Sequence, residues 1–365
     1  MKKELLFAIL LLMLFPITAH CAVYSGTCGR PMAYPKVDSI NLLWQVNTST
    51  RKLTITGSGK MRDYDMDTPA PWHQYKDDFD VIWLSDAATC IGEYAFWDLM
   101  ADSIHIGSAV EEVHRNAFWG SSFQSLVFPA ATRIIEQEGV AYCQRLKRVI
   151  FGGGVESIGY YAFYSCDSLQ LVDMGASDAV LGAYSFAYCG QLTTFVCTQI
   201  RHIDYYAFCG DASLCNLSLG DSLTYIGSYA FWGCSSLTRF VLPAATTAMG
   251  ENPFAFCGAL DTISVSSGNT EFDSRNNCNA IIATGSNAIV TGCARTVIPT
   301  SCVAIGGYAF SGQYRITSIS IPDNIRSIGN SAFEGCSALL NVNLSDSVTE
   351  VGCMAFLSCP SAYIQ

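Results

Sequence analysis

The chain is 365 residues long, half of them apolar and only 14% charged, with a formal net charge of −11. An acidic balance with no basic cluster excludes nucleic acids and anionic membrane surfaces as partners. So little charge beside so much apolar surface points to many small buried interiors under a neutral surface rich in Ser, Thr, Asn and Tyr.

The chain opens Met1-Lys2-Lys3, followed by an apolar run from Leu5 to Phe15, Pro16, and small residues around Ala19, Cys21 and Ala22. Residues 1–22 read as a secretory signal peptide, too short and one-sided for a membrane anchor. The protein is therefore expected to be secreted or on the outer cell surface, without a transmembrane span in its mature form. Lipid attachment at Cys21 is the alternative, although His20 stands where a lipobox carries a small residue.

Residues 23–80 are expected to form an N-terminal β-hairpin cap, its strands at 42–46 and 53–56 joined by the turn 47–51. A cap is needed because an uncovered end coil would expose apolar side chains and unpaired strand edges. Thr56-Gly57-Ser58-Gly59-Lys60-Met61 imitates a phosphate loop but lacks its first glycine and its magnesium-binding hydroxyl. Asp63, Asp65 and Asp67 have the spacing that opens a calcium loop, yet Thr68 replaces the glycine at its sixth position and Gln74 the glutamate at its twelfth. His73, His105, His114 and His202 show no metal-ligand spacing. No metal, cofactor or catalytic constellation is expected, and hence no enzyme.

From Val81-Ile82-Trp83-Leu84 onward one unit repeats. Its register marks are Phe96, Phe118, Val140, Phe163, Phe186, Phe208, Phe231, Phe254, Phe310, Phe333 and Phe356. Five residues before each mark stands an apolar side chain: Ile91, Val113, Ile135, Ile158, Leu181, Ile203, Ile226, Met249, Ile305, Ile328 and Val351. After the mark a Leu-x-x-Phe-x-Leu pattern, as in Leu237, Phe240 and Leu242, places alternate side chains inward along a short strand. A period of 22 or 23 residues with one such strand per unit is the signature of a leucine-rich repeat solenoid, a curved right-handed stack with a parallel sheet on one face. It is expected to span 81–365.

Seventeen cysteines in an exported chain suggest a disulfide framework, but seven of them (143, 166, 189, 234, 257, 336 and 359) fall three residues after a mark. They read as a ladder of small buried thiols. The long step between Phe254 and Phe310 marks one enlarged coil at about 266–297, with a hairpin over 280–290 turning at Gly285-Ser286 and the next strand at Ile298. In that register Cys278 and Cys293 oppose each other, within disulfide range. The last coil is expected either to be open, which invites pairing with a second copy, or to be covered by something outside this sequence.

Function is then a matter of surface. The outward strand positions, including His105, Arg148, Asp173, Thr194, Asn216, Arg239, Thr262, Asn341 and Asn343, are expected to tile a continuous sheet face suited to an extended partner. A second stripe, Tyr94, Trp97, Trp119, Tyr161, Tyr184, Tyr206, Tyr229, Trp232 and Tyr308, lies on the turn near the marks, where aromatic rows stack on sugars, anchor proteins or pack on each other.

The unit Ile-Gly-x-Tyr-Ala-Phe-x-x-Cys-x-x-Leu, preceded by Ser25-Gly-Thr-Cys28-Gly29, Leu53-Thr-Ile-Thr-Gly-Ser-Gly59 and Pro71-Trp72, resembles the BspA-like leucine-rich repeat surface proteins of anaerobic bacteria. Asn277-Cys278-Asn279-Ala280-Ile281-Ile282 looks like a segment common in that family. The resemblance implies an exported adhesin-type role, binding host matrix or plasma proteins or other bacterial cells. No partner-contacting residue carries over from it. A carbohydrate-binding accessory using the Tyr/Trp stripe, or a self-assembling scaffold, is the alternative.

Overall fold

The computed structural model describes residues 22–29, 39–360 and 362–364. Residues 1–21 of the expected signal peptide, Cys21 among them, lie outside the described residues.

Three antiparallel strands begin the fold: β1 (Val23–Gly29), β2 (Ser39–Asn47) and β3 (Lys52–Lys60). β2 and β3 are the expected hairpin, with Arg51 at φ +48° closing its turn. β1, which pairs with β2, was not anticipated. β3 then joins the cap to the stack. Its first half pairs in parallel with β4 (Val81–Leu84), and its second half pairs with Ala87–Ile91. One long strand thereby starts both sheets of the solenoid.

Each later coil contributes a two-residue strand ending at the apolar position five before the mark, and a longer strand after it. The short strands pair in parallel without a break from Ala87–Ile91 to Ala248–Met249. Their apolar residues from Ile91 to Ile226 are fully buried. Behind them the phenylalanine marks stack face to face. Phe208 and Phe231 lie 5.1 Å apart at 2°, and Phe231 and Phe254 5.2 Å apart at 1°. Such pairs add about 0.5–1.5 kcal/mol each beyond their burial.

The cysteine ladder has a defined bonding role. Cys143, Cys189, Cys234, Cys257, Cys336 and Cys359 each donate Sγ–H to the carbonyl of the preceding coil's mark at 3.1–3.2 Å. The thiols are free, and burial pushes those of Cys143, Cys189 and Cys234 well up. In each of these coils a buried carbonyl that would be one donor short is thus satisfied.

The enlarged coil contains Phe272–Asp273, Ala280–Ala283 and Ala288–Gly292, all antiparallel, with Ala288–Gly292 restarting the parallel stack against Ala304–Ile305. Ile282 faces Ile289 as the turn position predicts, but a bulge before Ile282 shifts the register to Ala280 opposite Gly292. Cys278 and Cys293 are consequently not opposed, and both are free thiols. Cys293 donates to the carbonyls of Asn279 and Asp261 at 3.4 and 3.5 Å, while Cys278 is packed in a different hydrophobic cluster. The expected strand at Ile298 is irregular backbone, where Pro299 lacks a ladder donor.

Candidate binding surface

The sheet face is not continuous. Strands Ser125–Phe128 to Asn216–Ser218 form one sheet, Arg239–Leu242 and Thr262–Val265 a second, and Ser318–Ser320 with Asn341–Asn343 belongs to a third. Ser103–His105 pairs only with β4. At two of the breaks the turn after the strand is tied back to the preceding coil. Gly220 bridges Gln199, and Asp86 accepts the amides of Ser108 and Ala109. Grooves open there: His105, Trp83 and Val127 line one of about 550 Å³, and Leu217, Arg239 and Pro243 one of about 270 Å³. At the third break, between Thr262–Val265 and Ser318–Ser320, the irregular 296–299 segment intervenes and a cavity of about 330 Å³ is lined by Val297, Ile298 and Ser318.

The nine polar candidates are therefore divided. Register aligns Arg148, Thr194 and Asn216 across one sheet, with Asp173 in the neighbouring row. Arg239 and Thr262 are paired on the second, and Asn341 and Asn343 lie on the third. His105 stacks on Trp83 at 5.5 Å and bonds Asp86 at 3.3 Å.

The aromatic stripe behaves differently. Two residues before every mark except Phe254 the chain adopts a left-handed conformation, at φ +51° to +58° for Tyr94, Tyr161, Tyr184, Tyr206, Tyr229 and Tyr308. Two residues after the mark it does so again, through glycine in some coils (Gly120, Gly210, Gly233) and through larger residues in others, Tyr142 and Tyr188 among them. Left-handed backbone costs an L-residue about 1–2 kcal/mol. The turn demands it because the chain must reverse twice around the buried phenylalanine.

The tyrosines so placed meet from coil to coil. Tyr161, Tyr184, Tyr206, Tyr229 and Tyr308 form one row with successive ring centroids 5.1, 5.0, 5.2 and 5.3 Å apart. Tyr164 contacts Tyr161, Tyr142 and Tyr188 at 4.7, 5.6 and 5.5 Å. Tyr160 and Tyr205 border the row on its other side, and Trp119 joins through Tyr142 at 5.3 Å. The outer rings are well exposed: Tyr142 40%, Tyr160 38%, Tyr188 45% and Tyr205 43%. Burial raises the Tyr184 phenol to about 12, and burial together with a bond to Glu251 raises that of Tyr229. The face therefore presents neutral hydroxyls.

Tyr142, Tyr160, Tyr188 and Tyr205 escaped the sequence reading, although the glycines shared at the position of Tyr142 and Tyr188 signal an outward-facing turn. The remaining stripe residues stand apart. Tyr94 contacts Trp97, whose ring is stacked on His73 at 5.0 Å, and Trp232 packs on Phe256 at 5.2 Å. The acidic loop is internally satisfied: Asp65 caps the amides of Asp67 and Thr68, and Asp63 bonds His114.

A family model described as a BspA type leucine rich repeat region, in six copies, matches residues 73–193, 179–284 and 291–365, most of the chain. The chain belongs to the BspA-type leucine-rich repeat family. Among solved structures, this BspA-type chain is similar to a leucine-rich repeat protein from Bacteroides ovatus ATCC 8483, with 21% identity over 84% of this chain and 88% of that one and a TM-score of 0.55. It also matches a leucine-rich repeat protein from Eubacterium ventriosum ATCC 27560 (19% identity, 94% and 72% covered, TM-score 0.47). A third match is a leucine rich cell surface protein from Faecalibacterium prausnitzii A2-165 (21%, 92% and 94%, TM-score 0.47). None of the curated proteins matches the chain.

Proposed function

We propose that this BspA-type protein is an exported, non-enzymatic adhesion protein, secreted or held on the outer cell surface. It grips host matrix or plasma proteins, or surface proteins of other bacteria, through its tyrosine face. The connected tyrosine rings carry this reading. Tyrosine is enriched among binding hot spots because it offers a large, rigid, amphipathic contact at small entropic cost. The row also passes the enlarged coil, where Tyr229 meets Tyr308, whereas the sheet face is split there. Export rests on the N-terminal sequence and the family. Among the described residues no helix is long and apolar enough to cross a membrane.

A glycan partner has less support, since Trp97 stacks on His73 while Trp119 and Trp232 pack at a tilt on Tyr142 and Phe256. The test is capture of the mature protein on immobilised matrix proteins, plasma proteins and intact bacterial cells. Tyr184→Ala with Tyr206→Ala should weaken capture by about 30-fold or more, as expected for a hot spot worth about 2 kcal/mol. Arg148→Ala with Arg239→Ala probes the rival surface. If that pair abolishes capture while the tyrosine pair does not, the tyrosine face is the wrong one.

A further inference from the structure

At the N-terminal end of the tyrosine row a small cavity of about 210 Å³ is lined by Glu138, Tyr142, Tyr161 and Tyr164 and by nothing else. We infer that these four residues form a cage for an organic cation, and that its occupant is an arginine side chain, or a lysine, of a protein partner.

The geometry is that of a box. Tyr164 stands at 79° to Tyr161 and at 64° to Tyr142, so ring faces and edges meet the space from different directions. A cation over such faces is attracted by the ring quadrupoles. Glu138 occupies, at φ +54°, the left-handed position that carries tyrosine in the following coils, and so places a carboxylate where the row would have another ring. Its Oε1 accepts the side-chain Nε2–H of Gln137 at 2.9 Å, leaving Oε2 for an incoming donor. Burial together with neighbouring Tyr164 and Glu138 holds the Tyr142 phenol neutral, and a bond to Tyr160 does the same for Tyr161. Among the described residues the cation–π pairs are Lys52 over Trp83 and Arg62 over Tyr64, so no described cation sits over the rings of the cage.

A carboxylate oxygen beside the rings favours a cation with N–H donors over a quaternary ammonium, which has none. Guanidinium fits best, being planar, weakly hydrated and able to stack on a ring while bonding a carboxylate. The net charge of −11 favours a cationic partner from a distance as well.

The inference rests on the tyrosine face as the gripping surface and specifies one of its contacts. It is tested on the full mature chain by calorimetric or NMR titration with N-acetyl-arginine methylamide, its lysine and citrulline counterparts, and choline. Arginine should bind at least about tenfold more tightly than neutral citrulline, with lysine at or below arginine. Glu138→Gln and Tyr164→Leu should each weaken arginine by about 2- to 30-fold, the range of one cation–π or charge contact, and Tyr314→Leu, remote from the cage, should not. Equal binding of arginine and citrulline, or no saturable binding, overturns the cage. Tighter binding of choline than of arginine overturns the side-chain assignment in favour of a quaternary ammonium headgroup. If arginine is discriminated but no protein is captured, the adhesion reading fails while the cage stands.

Discussion

Asp211 stands three residues after the Phe208 mark, where seven other coils carry cysteine. In the coils of Phe208 and Phe231 the mark's carbonyl takes two donors. Phe231, for example, accepts the amide of Cys234 at 3.0 Å and the thiol of Cys257 at 3.1 Å. In the coil of Phe186 the carboxylate intervenes: Asp211 Oδ1 accepts the Cys189 amide at 2.8 Å, and Oδ2 is buried without a partner. Burial holds the carboxyl well above its ordinary value of 3.8. The folded chain then keeps a proton that the unfolded chain releases. Stability is whole below about pH 4 and falls by about 1.4 kcal/mol per pH unit above it, until the folded-state pKa is reached. The loss is complete once pH has passed the folded-state value. Asp211→Cys, which restores the thiol of the ladder, should abolish this slope. The assay is urea denaturation of both proteins across that range, compared as a difference so that titrations common to both cancel. Because long solenoids can unfold in segments, exchange of the Cys189 amide gives a local check. Parallel pH curves for the two proteins would refute the reasoning, since Asp211 would then be ionised or solvated in the folded state.

Two further outcomes follow from the same bonding. Cys234→Ser should cost less than about 1 kcal/mol, because Ser121 already serves at this position by donating to the Phe96 carbonyl; Cys234→Val leaves the Phe208 carbonyl a donor short and should cost about 1–3 kcal/mol in the same denaturation assay. His114, between Asp63 at 2.7 Å and Glu112 at 3.4 Å, has its pKa raised chiefly by the bond to Asp63. That stabilisation is full below the unfolded value of 6.5 and is lost as pH rises through the folded value. The junction between cap and stack should thus loosen toward alkaline pH, read as faster exchange of the Glu93 amide, which bonds Asp63 at 3.1 Å, and His114→Gln should flatten that dependence.

The repeat was legible in the sequence because every coil must bury the same few side chains at the same phase. The position of Ile226 relative to Phe231 recurs in all coils since both line one narrow interior. Features that depend on a single coil were legible only in outline, as with the hairpin of the enlarged coil. The bulge before Ile282 adds one residue to one strand and leaves no mark in the hydrophobic pattern, which is why opposition of Cys278 and Cys293 was inferred and not found. The interruptions of the sheet face depend on tie-backs such as the Gln199–Gly220 bridge, a backbone contact between residues of no distinctive type. The tyrosine row was half visible. Its spacing gave Tyr161 to Tyr308, but the rings that complete the face come from positions where most coils carry glycine or other residues.

The hairpin of the enlarged coil clarifies why an insertion can split both sheets and still spare the candidate binding face. Along Ala280–Ala283 the side chains alternate between two interiors. Ile281 is buried in the first core and Ala283 packs against it, whereas Ala280 and Ile282 belong to the second. Ile289 and Val290 divide in the same way on the returning strand. Period-two alternation, which elsewhere gives a strand one wet and one dry face, here gives it two dry ones, so the hairpin serves as a wall between stacked cores. Cys293 and Cys278 fall on opposite sides of that wall. On the outer turn no wall intervenes. Asn252 Nδ2 donates to the Tyr308 carbonyl at 2.6 Å, the Phe256 amide to Ser311 at 2.9 Å, and Gln313 Nε2 to the Cys257 carbonyl at 3.2 Å. The turns of the Phe254 and Phe310 coils are thus bonded directly although 56 residues separate the marks in sequence. The extra chain is accommodated on the sheet side, and the tyrosines ride on the side that continues.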